Sequence, residues 1–435
     1  MIFRRFMLLA LAASLMQASW AAPGLNEVYD LALQHDPALA AAEAARRAAS
    51  EAVPQARAAL LPQLSASAGL NRTHRELEST RTFTQNYTNR LGALSLSQVL
   101  YDRQAFLALD QADARVAQAE LEFARAAQDL ALRVIQAYTE LLFAEDSLRL
   151  AEAKKTAIAA QREQAEQMHR GGVGTVTDIQ EAQARFDLAV AEALEAQNML
   201  RVRRQALYKL TGVWLERIAP LSEDAPLPLP EPNDLDRWRD EARRYALEVR
   251  GAEKALEVAR FDVERARSNH LPTLKLVGSN QWQSNTDLGY ASDNLSSVGV
   301  QLAVPLLAGG RISSVTRETL ARQDQAAELL RKAIADAELA AAESFHGVND
   351  SVARVGALKQ AVKSSEVALD AARIGLEVGY RTSVDVLNAQ QQLFAARRDL
   401  LQQRYNYLQQ RLKLKAAVGA LSRTDLETVD QWLNK

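Results

Sequence analysis

The chain has 435 residues, a formal net charge of −2 and no cysteine. So nearly neutral a chain carries no electrostatic footprint for nucleic acid, and without thiols it holds neither disulfides nor a thiolate metal site. Aromatic residues make up only 6% while alanine recurs throughout, a composition suited to close helix-on-helix packing rather than to a bulky core.

Residues 1–21 read as a secretory signal peptide. Arg4 and Arg5 precede the apolar run FMLLALAASLM, and QASWAAP offers small residues for cleavage after Ala21. The run is too short to span a bilayer as a helix, although a buried N-terminal helix is the alternative. The mature chain is expected to start outside the cytoplasm.

A first structural repeat is expected over 22–219. It opens with a helix and continues with a strand pair at about 61–101. In 61-LPQLSASAGLN-71, Leu64, Ala66, Ala68 and Leu70 alternate with Ser65, Ser67 and Asn71; in 91-LGALSLSQVL-100, Leu94, Leu96 and Leu100 oppose Ser95 and Ser97. This is the period of a strand. The polar segment 76–88 between them suits a loop. From Asp102 to Arg170 no Gly or Pro occurs, which predicts a helix of about 100 Å at 1.5 Å per residue. A length of that order indicates a coiled coil or helical array, and its scattered charges exclude a membrane span. A further helix is predicted over 175–211.

The segment 220–232 holds five of the eleven prolines and reads as a linker. A second repeat over 233–420 follows the same order: a helix from Leu235 to about Ser268, a strand pair at about 271–307, a long helix at about 312–374 interrupted at Gly347 and Gly356, and a helix over 382–418. In the second pair Val298, Val300, Leu302, Val304 and Leu306 share a face, and 284–294 suits a loop. Residues 421–435 read as a C-terminal tail. The stretches 172-GVGTVTDIQEAQARF-186 and 379-GYRTSVDVLNAQQQL-393 agree at five of fifteen positions, and Gly212 and Gly419 are separated by the same interval as Gly172 and Gly379. Internal duplication accounts for this.

Strands of about 10 to 12 residues have the length that crosses a bilayer when tilted; two hairpins on a soluble core are the alternative. Four such strands cannot close a barrel, and an open sheet edge in lipid is prohibitively unfavourable. Several chains must then share one barrel, a dimer being the geometric minimum. The fold expected is mostly α with β.

With this order in view, LPQL and LPTL, 304-VPLLAGGR-311, 171-GGVGTVTDIQEAQARFD-187, 377-EVGYRTSVDVLNAQQQLF-394 and 404-RYNYLQQRLKLKAAVG-419 resemble the TolC-type outer-membrane efflux and type I secretion channels across essentially the whole mature chain. The resemblance implies a homotrimer in outer-membrane lipid with one twelve-stranded barrel, continued into the periplasm by an α-helical tunnel. It also implies a periplasmic adaptor and an inner-membrane ABC or proton-driven transporter as partners. The chain would be a gated exit duct, not an enzyme, with no cofactor.

At the helix turns, Thr175/Asp178 and Thr382/Asp385 have capping-box spacing, and capping is the plain reading of both aspartates. In the resembled family the position of Asp385 lines the periplasmic entrance, so three copies would form a ring that favours cations. A second family aspartate is Asn388 here, which implies weaker selectivity. Arg381 matches the arginine of the closed-state latch, and Thr177 and Asp178 match its partners; a solvated surface charge is the other reading of Arg381. A latch tyrosine of the family is Leu376 here, with Tyr380 as a substitute. Gly172 and Gly379 mark the turn tips. The glycines of GGVG lack the Lys-Ser/Thr of a phosphate loop, and the histidines show no metal-ligand spacing. A periplasmic adaptor protein is the alternative function; duplicated strand pairs and the missing lipid-anchor cysteine count against it.

Overall fold

The computed structural model describes residues 22–77, 83–285 and 293–434. The expected signal peptide and the centres of both strand connections lie outside the described residues. In chain order the elements are α1 (Leu25–His35), α2 (Pro37–Ser50), α3 (Ala52–Ala58), β1 (Gln63–Leu77), β2 (Phe83–Tyr101), α4 (Arg103–Arg170), α5 (Val176–Thr211), α6 (Leu235–Tyr245), α7 (Leu247–Ser268), β3 (Thr273–Asn285), β4 (Asp293–Ala303), α8 (Arg311–Glu377), α9 (Ser383–Ala417) and α10 (Arg423–Asp430). No described helix is long and apolar enough to cross a membrane.

Several boundaries differ from the sequence reading, each for a physical reason. The α1–α2 break falls at Asp36, before Pro37, where the α conformation is disfavoured; the Asp36 carboxylate accepts the Leu39 N–H at 2.8 Å and caps the new helix. The second repeat breaks at the matching place, Ala246, without a polar cap. There the positive-φ Gly419 comes so close that a Cβ on it would stand 2.3 Å from the Tyr245 carbonyl oxygen. Gly347 and Gly356 do not interrupt α8, which runs unbroken for 67 residues. A helical glycine costs only about 1 kcal/mol, and a Cβ at Gly347 would meet the Gln410 side chain at 2.9 Å, so the glycine admits a close neighbour rather than ending a helix.

The four strands form one antiparallel sheet in the order β1-β2-β3-β4. Much of segment 76–88, expected as loop, is strand: pairing of β1 with β2 continues to Leu77 and Phe83, because ladder bonds use backbone groups whatever the side chains. β4 stops at Ala303, short of the expected 307, where Pro305 lacks the N–H to continue it.

The register sorts the side chains into two faces. One carries Leu64, Ala66, Ala68 and Leu70 of β1, Leu94 and Leu96 of β2, Leu274 and Leu276 of β3, and Val298, Val300 and Leu302 of β4. The other carries Ser65, Ser67, Ser95, Ser97, Ser279, Ser297 and Gln301, with the Ser279 and Ser297 hydroxyls 2.8 Å apart. Leu64, Leu70, Val298, Val300 and Leu302 are all exposed in the single chain. A soluble domain would bury such a face, which would otherwise be an aggregation hazard. A register shift between Val99 and Tyr101 leaves Leu100 out of the ladder.

The chain divides into two compact units, and neither is one of the sequence repeats. One comprises residues up to 41 with 124–247 and 334–435; the other comprises 42–123 and 248–333. Each therefore draws on both halves of the duplication. In the sheet-bearing unit, Gln111 on α4 donates to Asp262 on α7 at 2.7 Å and accepts from Arg265 at 2.7 Å.

In the other unit Tyr138 is buried and donates to the Ala219 carbonyl at 2.7 Å, and Arg133 grips the buried Asp36 with both guanidinium nitrogens at 2.7 and 3.1 Å. The proline-rich segment expected as a linker is fastened: Tyr407 donates to the Pro228 carbonyl and Trp238 to that of Pro232, each at 2.7 Å. The expected tail contains α10, and Leu433 bridges Leu221.

Candidate functional site

The two helix turns flagged by the repeat are built on the same bonds. At the end of α4, Gly172 adopts φ +77° and its N–H reaches the His169 carbonyl at 3.0 Å, while Val173 and Gly174 both donate to the Met168 carbonyl. At the end of α8, Gly379 adopts φ +81° and donates to Leu376 at 3.1 Å, while Tyr380 and Arg381 both donate to the Gly375 carbonyl. This is the Schellman closure of a helix, which needs a left-handed residue that glycine supplies without steric penalty.

The following helices start alike. The Thr175 hydroxyl accepts the Asp178 N–H at 3.2 Å, and the Asp178 carboxylate accepts the Thr175 N–H at 3.0 Å. Thr382 and Asp385 repeat this at 3.2 and 2.9 Å. Each aspartate is thus a cap in fact, with its charge in the first turn where the helix dipole favours it. The Asp385 carboxyl is held below the ordinary carboxylate range, first by the Thr382 N–H, then by the Thr382 hydroxyl, with Arg381 adding to this.

Arg381 lies 3.9 Å from Asp385 Oδ1, so its ion-pair partner in the single chain is on its own turn. Thr177 is exposed on the first turn of α5, and Asp178 is committed to its cap. Tyr380 is 89% exposed. Leu376 instead packs with the buried Leu369, Ala372, Val386 and Leu393 between α8 and α9. In the first hairpin Ile158, Ala165, Ala182 and Ala189 form the core, joined by Leu387 from α9, which ties the two repeats together close to their tips.

Asn388 is engaged by a residue the sequence reading did not single out. Arg185 on α5 donates to Asn388 Oδ1 at 3.2 Å, to Gln391 Oε1 at 2.6 Å and to Glu181 Oε1 at 3.1 Å. Glu181 and Asn388 are equivalent positions of the duplication, so one guanidinium spans the same level of both repeats. The i,i+4 spacing of Glu181 and Arg185 was visible, but it also fits an ordinary solvated helix pair. Gly375 was missed too: a Cβ there would stand 2.5 Å from Arg381 Cγ, so its missing side chain is what lets Arg381 lie across the turn.

A sheet with one apolar and one polar face, combined with twin capped hairpins of very long helices, is the build of a membrane channel protein. The family model of outer membrane efflux proteins matches residues 28–213 and 238–420, and the chain belongs to that family. It is 34% identical to the outer membrane protein TolC of Vibrio cholerae over 98% of this chain and 97% of that protein. It is 30% identical to the proteases secretion protein PrtF of Dickeya chrysanthemi over 99% and 95%. The crystal structure of the outer membrane protein VceC of Vibrio cholerae shares its fold, with TM-score 0.77 at 22% identity, covering 91% of this chain and 96% of that one. The protein is an outer-membrane efflux channel protein.

Proposed function

We propose that three copies of the chain share one twelve-stranded barrel, and that export is gated at the two helix-turn tips of each copy. The observation that carries this is the sheet. It exposes an apolar face and leaves β1 and β4 as unpaired edges, which lipid does not tolerate. Pairing β4 of one copy with β1 of the next is a head-to-tail contact that closes into a ring, and twelve strands are within the range of bacterial barrels. The relative named as a protease secretion protein supports protein export among the duct's tasks, with a periplasmic adaptor and an ABC or proton-driven inner-membrane transporter supplying energy.

At the tips Asp385 is the residue that faces traffic. It is ionised through the neutral range, since its pKa is depressed, and three such carboxylates at a mouth attract cations. Opening requires Arg381 to leave a link with Thr177 and Asp178 of a neighbouring hairpin. The Asn388 position adds no charge, and its partner Arg185 is positive, so cation selectivity is modest.

Planar-bilayer recording of wild type and Asp385→Asn tests this reading. Small cation-selective openings that lose most of their selectivity in the variant are expected. No conductance from a folded oligomer would end the duct reading, and unchanged selectivity would return Asp385 to capping alone. Because the chain has no cysteine, single cysteines placed at Ser65 or Ser67 of β1 and at Ser297 of β4 report the proposed edge pairing by disulfide formation between copies.

A further inference from the structure

The apolar face of the sheet ends in a rim of different chemistry at the hairpin end, away from the strand ends that lead to α3, α4, α7 and α8. On β3 and β4 the rim is a hydrogen-bonded set in which Asn280 donates to Asn294 at 2.9 Å and to Ser296 at 2.7 Å. Next to it Trp282 pairs with Gly92, and its indole lies over that glycine so closely that a Cβ there would stand 2.2 Å from the ring. One pair further, Arg90 sits between Leu70 on β1 and Ser284 on β3. Arg72, paired with Thr88, is its diagonal neighbour on the same face.

Diagonal neighbours lie about 7–8 Å apart, so two arginine side chains there can close on one anion. Both arginines are exposed, and their cross-strand partners are Leu70, Ser284 and Thr88, none of them a carboxylate. Glu76 shares the face but lies four positions further along β1, about 13 Å at the rise of a strand. An aromatic ring between an apolar band and a cationic rim is the arrangement of a membrane–water interface.

Resting on the reading of the apolar face as lipid-facing, we propose that Arg72 and Arg90, flanked by Trp282, form a binding site for the phosphate of a phosphorylated outer-leaflet glycolipid. On that reading the strand ends that lead into α4 and α8 face the periplasm, and the hairpin ends of the same strands face the cell surface. The rim therefore meets the outer leaflet, whose headgroups are phosphorylated glycolipids. Guanidinium groups match phosphate in planar, paired hydrogen bonds. Leu70 and the leucines beyond it receive the acyl chains, and the indole ring stands at the sugar level.

The experiment uses the delipidated full-length oligomer in detergent, titrated by native mass spectrometry with purified lipid A, with phosphatase-treated lipid A, and with inorganic phosphate. Wild type is expected to bind lipid A about tenfold more tightly than the dephosphorylated form. In the double variant Arg72→Gln/Arg90→Gln that preference disappears, while Lys275→Gln on the opposite face keeps it. Arg72→Lys/Arg90→Lys, which keeps charge but not the paired geometry, falls between and serves if the glutamine variant folds poorly.

Full preference for lipid A in the glutamine variant, or equal loss in Lys275→Gln, overturns the site. Inorganic phosphate binding as tightly as lipid A makes it a free-anion site and overturns the lipid assignment. A protein that conducts in bilayers yet shows no phosphate preference fails only this proposal. One that never conducts fails the channel reading beneath it.

Discussion

The turns at 171–175 and 378–382 share a backbone and differ in one trade. In both, the residue six positions ahead of the helix-start approach meets the residue that ends the turn: Met168 meets Gly174 in the first, and Gly375 meets Arg381 in the second. A Cβ on Gly174 would stand 2.9 Å from the His169 nitrogen and 3.1 Å from Met168 Cβ, and a Cβ on Gly375 would stand 2.5 Å from Arg381 Cγ. At Gly174 the crowding comes from the Met168–His169 backbone together with Met168 Cβ, whereas at Gly375 it comes from the Arg381 side chain, so the glycine sits on opposite sides of the turn in the two copies. The first solution leaves a bare turn, and the second sets a guanidinium beside Asp385. Identical local folds can thus carry different charges because the glycine moved.

Moving the glycine back should have the largest effect. Gly375→Met alone should lower the stability of the second hairpin tip by about 1–3 kcal/mol, as overpacked sites do, and Gly375→Met with Arg381→Gly should recover most of it. Hydrogen exchange of the amides around residues 376–386 measures both, and additive losses would refute the shared-space argument. Next in size are the caps. Thr175→Ala and Thr382→Ala should each cost about 1 kcal/mol locally, and because their bonds match, a clear inequality would show that a neighbour supports one tip.

A smaller effect is expected at the second tip as pH falls. A carboxyl with a depressed pKa stabilises above the ordinary carboxylate range and loses that contribution as pH falls through its lowered value. The second tip should therefore loosen only well into acid, and Asp385→Asn should remove that step. Smallest is Thr177→Val, an exposed position where surface changes stay within about 0.5 kcal/mol. It should leave the exchange of the free tip unchanged, and any effect on channel opening would then report the link to Arg381.

Much of the frame was legible because it depends on short-range rules. Serine–leucine alternation set the faces of the sheet, and Gly172, Gly379, Thr175, Thr382, Asp178 and Asp385 announced their turns and caps through local steric and hydrogen-bonding needs. What escaped depends on partners distant in sequence. The extension of β1 to Leu77 rests on pairing with Phe83, not on its polar side chains. The continuity of α8 through Gly347 reflects Gln410 on α9. Nothing near Arg185 indicated that it would reach Asn388 and Gln391, and Gly375 gave no sign that it made room for Arg381. The break at Asp36–Pro37 was not read although Pro37 marks it locally, whereas Ala246 breaks the matching helix without any such mark in its own residues.

The traded glycine bears on symmetry. In the proposed trimer, a doubled chain present three times would bring six nearly equal tips to one ring, which by backbone alone would be sixfold. Since only the second of the two described tips carries an arginine beside its aspartate, such a ring would be sixfold in shape and threefold in charge.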